Sequence, residues 1–500
     1  MDYRNLTFGT AGIRGLMGDG EGELNRDAIA AIGESLAQVM EDMALEGAVV
    51  ICRDSRNHGK EFAELTAEIL ADYGHNVYLG DEPLPTPFLS YAIRALKAAA
   101  GVNITASHNP KEYNGFKAYG ADGAQINNDY AEKIQAKLRT FSHQKRNLGG
   151  KVLSIPDEIR EKYLNTILGN LDLDHVNFHD LRAVYSPLHG SAGNFMRTLA
   201  ERAFLPLIFA EDQMAPNGDF PLAPKPNPEN PEVFERFKTA SPDAGLILIN
   251  DPDGDRLGVM VKTAGGYRLL SGNEVGLLLL YYLITVESEN AKEKYVVKSL
   301  VSSSLAETIC SHYGVEMRNV LVGFRYIASE IEKDESGFLF GFEESGGYLA
   351  HSHARDKDGL EAACLMLKAA AHYRNEGRNL VQVLHEIYDT FGYVIDVTFS
   401  LNLSLQHCAD VMSYMRQQGL NTICGEHVTS FTDLLKEKNT KKANIIVIKT
   451  SNFRVILRPS GTEPKMKVYI SAQGDGVASA KQKAENVYEE ILHQFELVLQ

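Results

Sequence analysis

A serine, three aspartates and two cations are spaced along this chain so that they could move a phosphoryl group. Ser107 follows the apolar run at residues 98–104, which predicts a short buried strand, and Pro110 prevents the next turn from continuing as a helix. The hydroxyl is therefore expected on a loop at a strand end. Two distant loops, residues 251–256 and 458–465, supply carboxylates and a cation-flanked turn. A nucleophile, a metal site and a phosphate-binding loop together indicate phosphoryl transfer.

The aspartates form an Asp-x-Asp-x-Asp triplet directly after the aliphatic strand predicted at residues 246–249. Alternate residues of an extended segment point the same way, so the three carboxylates converge, and a divalent cation relieves their repulsion. Oxygen ligands favour Mg²⁺, Mn²⁺ or Ca²⁺ over zinc. An EF-hand does not fit, because the glycine is fourth rather than sixth and the twelfth residue is Lys262 rather than glutamate. A metal site explains the triplet better than an acidic turn does, and its predicted ligands are Asp251, Asp253 and Asp255.

Two other roles are possible for Ser107 besides that of a phosphate carrier. The first is a turn serine that hydrogen-bonds its own backbone, which is the commonest fate of a loop serine. The second is a Ser-His-Asp hydrolase, but no Gly-x-Ser-x-Gly elbow surrounds Ser107, and His108 is its immediate neighbour and poorly placed to accept its proton. A hydroxyl that carries phosphate needs cations and a metal instead. Lys117 could supply one positive charge.

The turn after the strand at residues 453–457 has the composition of an anion-binding loop. Backbone N–H groups around a glycine, two hydroxyls and two cations match the oxygens of a phosphate. An ordinary turn would explain the proline and glycine but not the flanking cations. No GxxxxGK[ST] motif is present, which disfavours a P-loop kinase. The predicted phosphate-binding residues are Arg458, Ser460, Gly461, Thr462 and Lys465.

Two glycine-rich segments carry weaker signals. Residues 341–348 place adjacent glutamates and a serine between glycines, and such groups could accept from and donate to the vicinal hydroxyls of a sugar. A solvated acidic turn is the alternative. Residues 8–15 are also rich in glycine but do not follow a predicted strand, so a dinucleotide fingerprint is disfavoured and Arg14 is an anion-contact candidate.

Length and composition bound the class of protein. At 500 residues the chain is too long for one core, and its 44% hydrophobic and 23% charged content is that of an ordinary globular protein. No apolar run approaches the ~20 residues of a membrane span, and no secretory signal is evident. Five scattered cysteines suggest reduced thiols and a cytoplasmic location. The net charge of −16 argues against nucleic-acid binding, so an anionic substrate must be held by local cations.

Three segments repeat the pattern strand, loop, amphipathic helix, strand, beginning near residues 48, 182 and 295. Alternation of this kind predicts βαβ units with parallel-type sheets, in three similar α/β domains. From residue 391 the pattern changes to that of a smaller α+β domain. The predicted domains are residues 1–172 with the serine loop, 173–290 with the carboxylate loop, 291–390 with the glycine-rich loop and 391–500 with the anion-binding loop.

Taken together, the motifs resemble those of the α-D-phosphohexomutase family, which includes phosphoglucomutases and phosphomannomutases. The resemblance runs from residue 8 to 465, and residues 8–14, 187–190 and 357–359 look especially like the branch of phosphoglucomutases and phosphopentomutases. It implies four domains around a central cleft, three of them mixed α/β and the last α+β. It also implies a phosphosugar mutase that uses a phosphoserine enzyme and a sugar bisphosphate intermediate, with glucose 1- and 6-phosphate as the expected substrates.

The resemblance also implies a role for each matching residue. Ser107 would carry the phosphate and, with the three aspartates, hold one Mg²⁺. Lys117 or His108 would handle protons beside Arg14. Substrate contacts would come from Arg256, Glu343, Ser345, Arg325 and Lys357, in addition to the anion-binding loop.

The expected partners are small molecules. Glucose 1,6-bisphosphate is the expected activator, and the chain is expected to be a monomer or a dimer without nucleic-acid or membrane partners. Phosphomannomutase or phosphopentomutase activity is the alternative, since Gly347 and Phe324 stand where some relatives have histidine. A non-catalytic sugar-phosphate sensor or a phosphatase is a further alternative.

Overall fold

The computed structural model describes residues 6–8, 12–437, 442–460 and 464–499, and it begins with a six-stranded sheet. The strands are β1 (Ile13–Leu16), β2 (Val49–Arg53), β3 (Val77–Leu79), β4 (Ala100–Ile104), β5 (Tyr113–Gly120) and β6 (Val152–Ser154). The helices are α1 (Arg26–Asp42), α2 (Gly59–Asp72), α3 (Thr86–Ala95), α4 (Asn128–Arg139) and α5 (Asp157–Leu171). The order is β1-β5-β4-β2-β3-β6. Strand β4 is buried throughout, runs parallel to β2, and ends just before the serine loop.

The second sheet repeats the arrangement around the carboxylate loop. Its strands are β7 (Ala183–Ser186), β8 (Leu207–Phe209), β9 (Leu246–Asn250), β10 (Leu257–Thr263) and β11 (Gly266–Leu269), in the order β11-β10-β9-β7-β8. Its helices are α6 (Gly193–Ala203), α7 (Glu211–Met214) and α8 (Glu232–Ala240). Strand β9 is buried throughout, runs parallel to β7, and ends just before Asp251.

The third sheet carries the glycine-rich loop. Its strands are β12 (Tyr295–Ser299), β13 (Glu316–Val320), β14 (Phe338–Glu343) and β15 (Gly347–Leu349), in the order β13-β12-β14-β15. Its helices are α9 (Gly272–Tyr282), α10 (Leu305–Tyr313), α11 (Phe324–Lys333), α12 (Gly359–Asn375) and α13 (Leu380–Phe391). Helix α9 starts with a capping box between Ser271 and Glu274 and packs against β14. The predicted boundary near residue 290 lies after this helix.

The last part of the chain forms an antiparallel sheet with two helices packed on it, as the α+β prediction requires. Its strands are β16 (Tyr393–Asn402), β17 (Thr422–Ile423), β18 (Glu426–His427), β19 (Ser430–Asp433), β20 (Ile446–Lys449), β21 (Phe453–Pro459) and β22 (Lys465–Gly474). Its helices are α14 (Leu405–Gln418) and α15 (Val477–Leu499). The sheet order is β16-β22-β21-β20-β19, and β17 and β18 form a separate hairpin.

The prediction of three mixed α/β units followed by an α+β unit is confirmed, but the first three sheets are not purely parallel. Strands β5, β10 and β15 each run antiparallel to the strand before them. The reason is the length of the connections, since residues 105–112, 251–256 and 344–346 are too few for a crossover, which needs about a dozen residues. All three predicted functional loops are therefore hairpin connections at the carboxyl end of a buried parallel strand.

The hydrophobic core divides the molecule unequally. One continuous cluster of buried side chains runs through the first three units, whereas the last unit has its own core. A small apolar cluster of Val301, Ile445, Ile456 and Tyr469 joins the last unit to the third. None of the helices in the described part of the chain has the length and apolarity needed to cross a membrane.

Candidate active site

Ser107 lies just beyond the end of β4 and is 1% exposed. Its Oγ donates a 2.8 Å hydrogen bond to Asp251 Oδ2, and its N–H donates a 2.8 Å bond to Thr105 Oγ1. Its φ of 53° is in the left-handed region, which costs about 1–2 kcal/mol for a residue with a Cβ. The serine hydroxyl is thus held against the carboxylate loop of the next unit by a strained turn.

The three aspartates converge as predicted from their spacing. All are buried, and one carboxylate oxygen from each lies within 4.8 Å of the others. Among the described residues, Asp253 Oδ1 and Asp255 Oδ1 are buried without a hydrogen-bond partner. Buried carboxylate oxygens are normally paired, and an oxygen-only set of this kind fits a hard divalent cation. The site can therefore hold Mg²⁺ beside Ser107.

The carboxylates repel one another. Burial and the charges of Asp253 and Asp255 raise the pKa of Asp251 well above its usual range. Burial also acts to raise the pKa of Asp253, but Lys117, the Asp251 side chain and Arg14 together outweigh burial and lower that pKa. A divalent cation bound between the carboxylates would neutralise the repulsion that raises the pKa of Asp251.

Two buried lysines reach the carboxylates from different units. Lys117, on β5, places Nζ 2.7 Å from Asp253 Oδ2 and 3.6 Å from Asp255 Oδ2. Lys357 places Nζ 3.0 Å from Asp255 Oδ2. Gly347 makes the second contact possible, because a Cβ there would lie 2.1 Å from Lys357 Cδ. A side chain at position 347 would therefore displace the lysine from the carboxylates.

Two arginines and a histidine surround the serine. The Arg14 guanidinium donates to Asn109 Oδ1 at 3.3 Å, and the main-chain N–H of Arg256 donates to Asp251 Oδ1 at 3.0 Å. His108 Nδ1 lies 3.2 Å from Ser107 Oγ. Burial, followed by the charges of Arg256 and Arg14, lowers the pKa of His108 well below its usual value. The same groups therefore favour the neutral imidazole and make it a weaker base.

The glycine-rich loop follows β14 and faces the same space. Glu343 Oε1 accepts a 2.8 Å bond from the N–H of Gly323, and Glu344 Oε2 accepts a 3.2 Å bond from Ser299 Oγ. Burial and the neighbouring Glu343 carboxylate raise the pKa of Glu344 to about 7. The loop thus offers fixed acceptors for hydroxyl groups.

The last unit supplies the opposite wall. Arg458, on β21, donates a 3.4 Å bond to Tyr469 Oη. The N–H of Ser460 donates a 2.8 Å bond to the carbonyl of Lys465. Gly461 and Thr462, both predicted phosphate-binding residues, lie outside the described residues.

These parts enclose one cleft of about 600 Å³ with walls from all four units. The cleft is lined by ten of the residues singled out from the sequence: Arg14, Ser107, His108, Lys117, Asp255, Arg256, Glu343, Ser345, Lys357 and Arg458. Asp251 contacts the serine and Asp253 the lysine, so these two aspartates extend the cleft floor. The sequence motifs are thus brought together from positions more than 300 residues apart.

Arg325 is placed differently from the other residues singled out. Its guanidinium donates to the carbonyl of Ile126 at 3.3 Å and to Asn128 Oδ1 at 2.6 Å, and it lies 5.0 Å from the centroid of the Tyr326 ring. These contacts join the first unit to the third. The structure does not bring Arg325 together with the cleft residues.

Sequence reasoning missed several cleft residues: Gln125, Glu229, Asp396, Thr398 and Lys467. Alternation along strands could have found three of them. Lys467 pairs with Arg458 across β21 and β22, and Asp396 and Thr398 share one face of β16. Glu229 lies in an irregular segment and gives no such signal.

Comparisons with known proteins agree with this geometry. Family models for phosphoglucomutase/phosphomannomutase match α/β/α domain I at residues 5–145, domain II at 161–266, domain III at 271–391 and the C-terminal domain at 421–489. A phosphoglucomutase from Staphylococcus epidermidis is 35% identical over 94% of this chain and 91% of its own length.

Solved structures share the fold. A phosphoglucomutase/phosphomannomutase family protein from Burkholderia thailandensis aligns with a TM-score of 0.78 and 20% identity, covering 99% of this chain and 98% of its own. An N-acetylphosphoglucosamine mutase from Aspergillus fumigatus, solved with GlcNAc-6P and magnesium, aligns with a TM-score of 0.51 and 12% identity, covering 98% and 96%.

Proposed function

The chain belongs to the phosphoglucomutase/phosphomannomutase family, and we propose that it interconverts glucose 1-phosphate and glucose 6-phosphate. It is a phosphosugar mutase, an isomerase that moves phosphate within one sugar. Relatives named phosphoglucomutase, 33–35% identical over more than 90% of the chain, support glucose as the sugar. The observation that carries the mechanism is Ser107 Oγ, 2.8 Å from Asp251 in a cleft lined by four units.

In the proposed reaction Ser107 enters as a phosphoserine. The P–O bond to Ser107 breaks as a P–O bond forms to the free hydroxyl of the sugar monophosphate, which gives glucose 1,6-bisphosphate. The sugar hydroxyl loses its proton to a base, and Ser107 Oγ takes up a proton. Lys117 and His108 are the proposed proton carriers, because His108 Nδ1 lies 3.2 Å from Ser107 Oγ and Lys117 lines the same cleft. The bisphosphate then reorients and returns its other phosphate to Ser107.

We assign Mg²⁺ to Asp251, Asp253, Asp255 and the oxygen of Ser107, as the orphaned carboxylate oxygens and the magnesium complex of the fungal neighbour suggest. When bound, the cation neutralises charge on the transferring phosphoryl group. Arg14 and Arg256 flank that group and orient it.

The remaining assignments concern the sugar and its second phosphate. Glu343 and Ser345 would bind sugar hydroxyls, and Lys357 would contact the substrate from the same side. Arg458, with the turn at residues 460–465, would hold the phosphate that is not reacting, since a guanidinium can bind two phosphate oxygens at once. The assignments of Glu343, Ser345, Lys357 and Arg458 follow from their places on the cleft wall, whereas that of residues 460–465 follows from the sequence motif.

A substrate panel tests the proposal. Initial rates are measured with the 1- and 6-phosphates of glucose and mannose and the 1- and 5-phosphates of ribose, each with a trace of its own bisphosphate. The highest kcat/KM is expected for glucose, and a higher value for mannose or ribose would overturn the assignment of the sugar. Release of inorganic phosphate without isomerisation would indicate a phosphatase, and binding without turnover would indicate a sensor.

A further inference from the structure

We propose that Arg56 is a positioning residue that fixes the main chain of the phosphoserine loop, defined as residues 105–113, while phosphate moves on and off Ser107. The inference rests on the proposed function, since it concerns the same nucleophile. Arg56 follows β2, the strand beside β4, and is 2% exposed. It does not line the cleft.

Every N–H of the Arg56 guanidinium is used within the protein. Nε donates to Asp54 Oδ2 at 3.1 Å. The other four donors reach main-chain carbonyls of the phosphoserine loop: Ser107 at 2.6 Å, Asn109 at 2.5 Å, Pro110 at 2.8 Å and Tyr113 at 2.9 Å. A guanidinium has five N–H donors, so none remains for a substrate phosphate. The hydrogen bonds of Arg56 therefore act on the loop and not on the substrate.

The Asp54 carboxylate extends the same network to the other side of the serine. Its Oδ2 also accepts a 2.5 Å bond from Thr105 Oγ1, and Thr105 Oγ1 accepts the N–H of Ser107 at 2.8 Å. Both main-chain polar groups of Ser107 are thus held, the N–H by Thr105 and the carbonyl by Arg56. Such doubly held backbone explains how the left-handed φ of 53° persists at a residue with a Cβ.

The proposed reaction requires a loop that keeps its position, and this hydrogen-bond network would provide that. Ser107 alternates between a neutral hydroxyl and a phosphate of charge about −1.5 to −2, so the forces on the loop change in every half-cycle. The Arg56 charge is paired with Asp54 and lies behind the loop, so it resists displacement without competing for the phosphate. A misplacement of about 1 Å costs ~100-fold in rate. A loop anchored by four carbonyls keeps the serine oxygen in one place in both states.

Arg56→Lys is the first test, because lysine keeps the charge but loses the fork that reaches four carbonyls. We expect kcat to fall about 100-fold with KM changed less than about threefold. The rate of Ser107 phosphorylation by glucose 1,6-bisphosphate, followed by rapid quench and intact mass, should fall by the same factor. Thr105→Val should act similarly, and Thr105→Ser, which keeps the hydroxyl, should restore most of the rate.

Arg416→Lys is the matched control. Arg416 is partly buried and bonds Asp433 and Asn444, but it lies in the last unit, away from the cleft. The kcat of Arg416→Lys should stay within about twofold of the wild-type value.

Hydrogen exchange separates this inference from the proposed function. The amide hydrogens of residues 105–109 and 111–113 should exchange faster in Arg56→Lys than in the wild type, whatever reaction the protein catalyses. Wild-type phosphorylation rates in a folded Arg56→Lys, or unchanged exchange, would overturn the inference. If Arg56→Lys fails to fold, equal rates in Thr105→Val and Thr105→Ser would overturn it. A wild-type enzyme that turns over without phosphate on Ser107 would instead overturn the proposed function.

Discussion

The floor of the cleft and its outer wall are built differently. The floor, from the first two units, is buried and densely bonded: Ser107, Lys117 and Asp253 are each at most 1% exposed and contact groups from the neighbouring unit at 2.7–2.8 Å. The wall, from the last unit, is half-buried, and Arg458 makes a longer 3.4 Å bond to Tyr469. The proposed reacting groups are therefore held by short contacts between two units, whereas Arg458, which we propose to hold the second phosphate, is held less closely.

The packing supports the same division. The first three units share one continuous core besides smaller clusters of their own, whereas most of the last unit packs around a separate core. The last unit meets the shared core through Tyr393, Val394, Ile395 and Val477, and it meets the third unit through a small apolar cluster. Gly392 lies between α13 and β16 with a φ of 107°, which favours glycine. A bisphosphate that must turn over without escaping requires a wall that can move, and this junction is where we expect the movement.

The largest effect should come from the floor. Ser107→Ala removes the oxygen that accepts phosphate, so we expect kcat to fall by at least about 10⁴-fold with the fold intact. Turnover and the mass of the peptide containing residue 107 are the measurements, and the wild-type peptide should carry a partial phosphate. Ser35→Ala, at a buried serine of α1, should keep full activity. Near-normal turnover in Ser107→Ala would remove the phosphoserine mechanism.

Substitution of a carboxylate in the aspartate triplet should have the next largest effect. Asp253→Asn removes one charge from the triplet and weakens the contact to Lys117, so calorimetric Mg²⁺ affinity should fall and kcat should drop about 100-fold or more. Chelation of the wild-type enzyme should abolish activity and Mg²⁺ should restore it, with Zn²⁺ a poor substitute because it prefers nitrogen and sulfur ligands. Asp410→Asn, at a half-buried position on α14 of the last unit, is the control. Full activity after exhaustive chelation would contradict the metal assignment.

A substitution in the wall should have a smaller effect, and it should change KM rather than kcat. Arg458→Ala removes a charged hydrogen-bond donor worth about 1.5–3 kcal/mol, so KM for both monophosphates should rise about 10- to 100-fold. The bisphosphate should also escape more often, which makes the rate depend more strongly on added glucose 1,6-bisphosphate. The KM of Arg458→Lys should lie between those of the wild type and Arg458→Ala, since lysine keeps the charge but cannot donate to two phosphate oxygens at once. An effect on one direction only, with an unchanged bisphosphate requirement, would contradict a shared phosphate grip.

The floor could be predicted from the sequence and the wall only in part. Apolar runs that end at Ile104 and Ile249 mark strand ends, and the carboxyl ends of parallel strands are where ligands bind, so local signals sufficed for Ser107 and the triplet. The antiparallel return strands were missed, although the short loops require them. Arg325 shows what local sequence patterns cannot predict. Its partners Ile126 and Asn128 belong to another unit, and no local pattern predicts packing between units.

The smallest expected effect concerns the pH dependence of substrate binding at Glu344. Its carboxylate accepts from Ser299 and lies near Glu343, Glu229 and Lys467, and burial and Glu343 raise its pKa to about 7. The group is therefore neutral below pH 7 and negative above it. Ionisation adds a like charge to a cleft that binds an anion, so KM should rise as the pH passes from 6 to 8.

Comparison with Glu344→Gln isolates the effect of Glu344 ionisation on KM, because the substrate phosphate titrates identically in both enzymes. The ratio of wild-type to variant KM should increase roughly threefold between pH 6 and pH 8, which corresponds to well under 1 kcal/mol of repulsion. kcat should hardly differ, because Glu344 does not contact the reacting groups of the floor. A ratio independent of pH would show that the Glu344 carboxylate does not titrate in this range, and a ratio that falls with pH would mean that its charge assists binding.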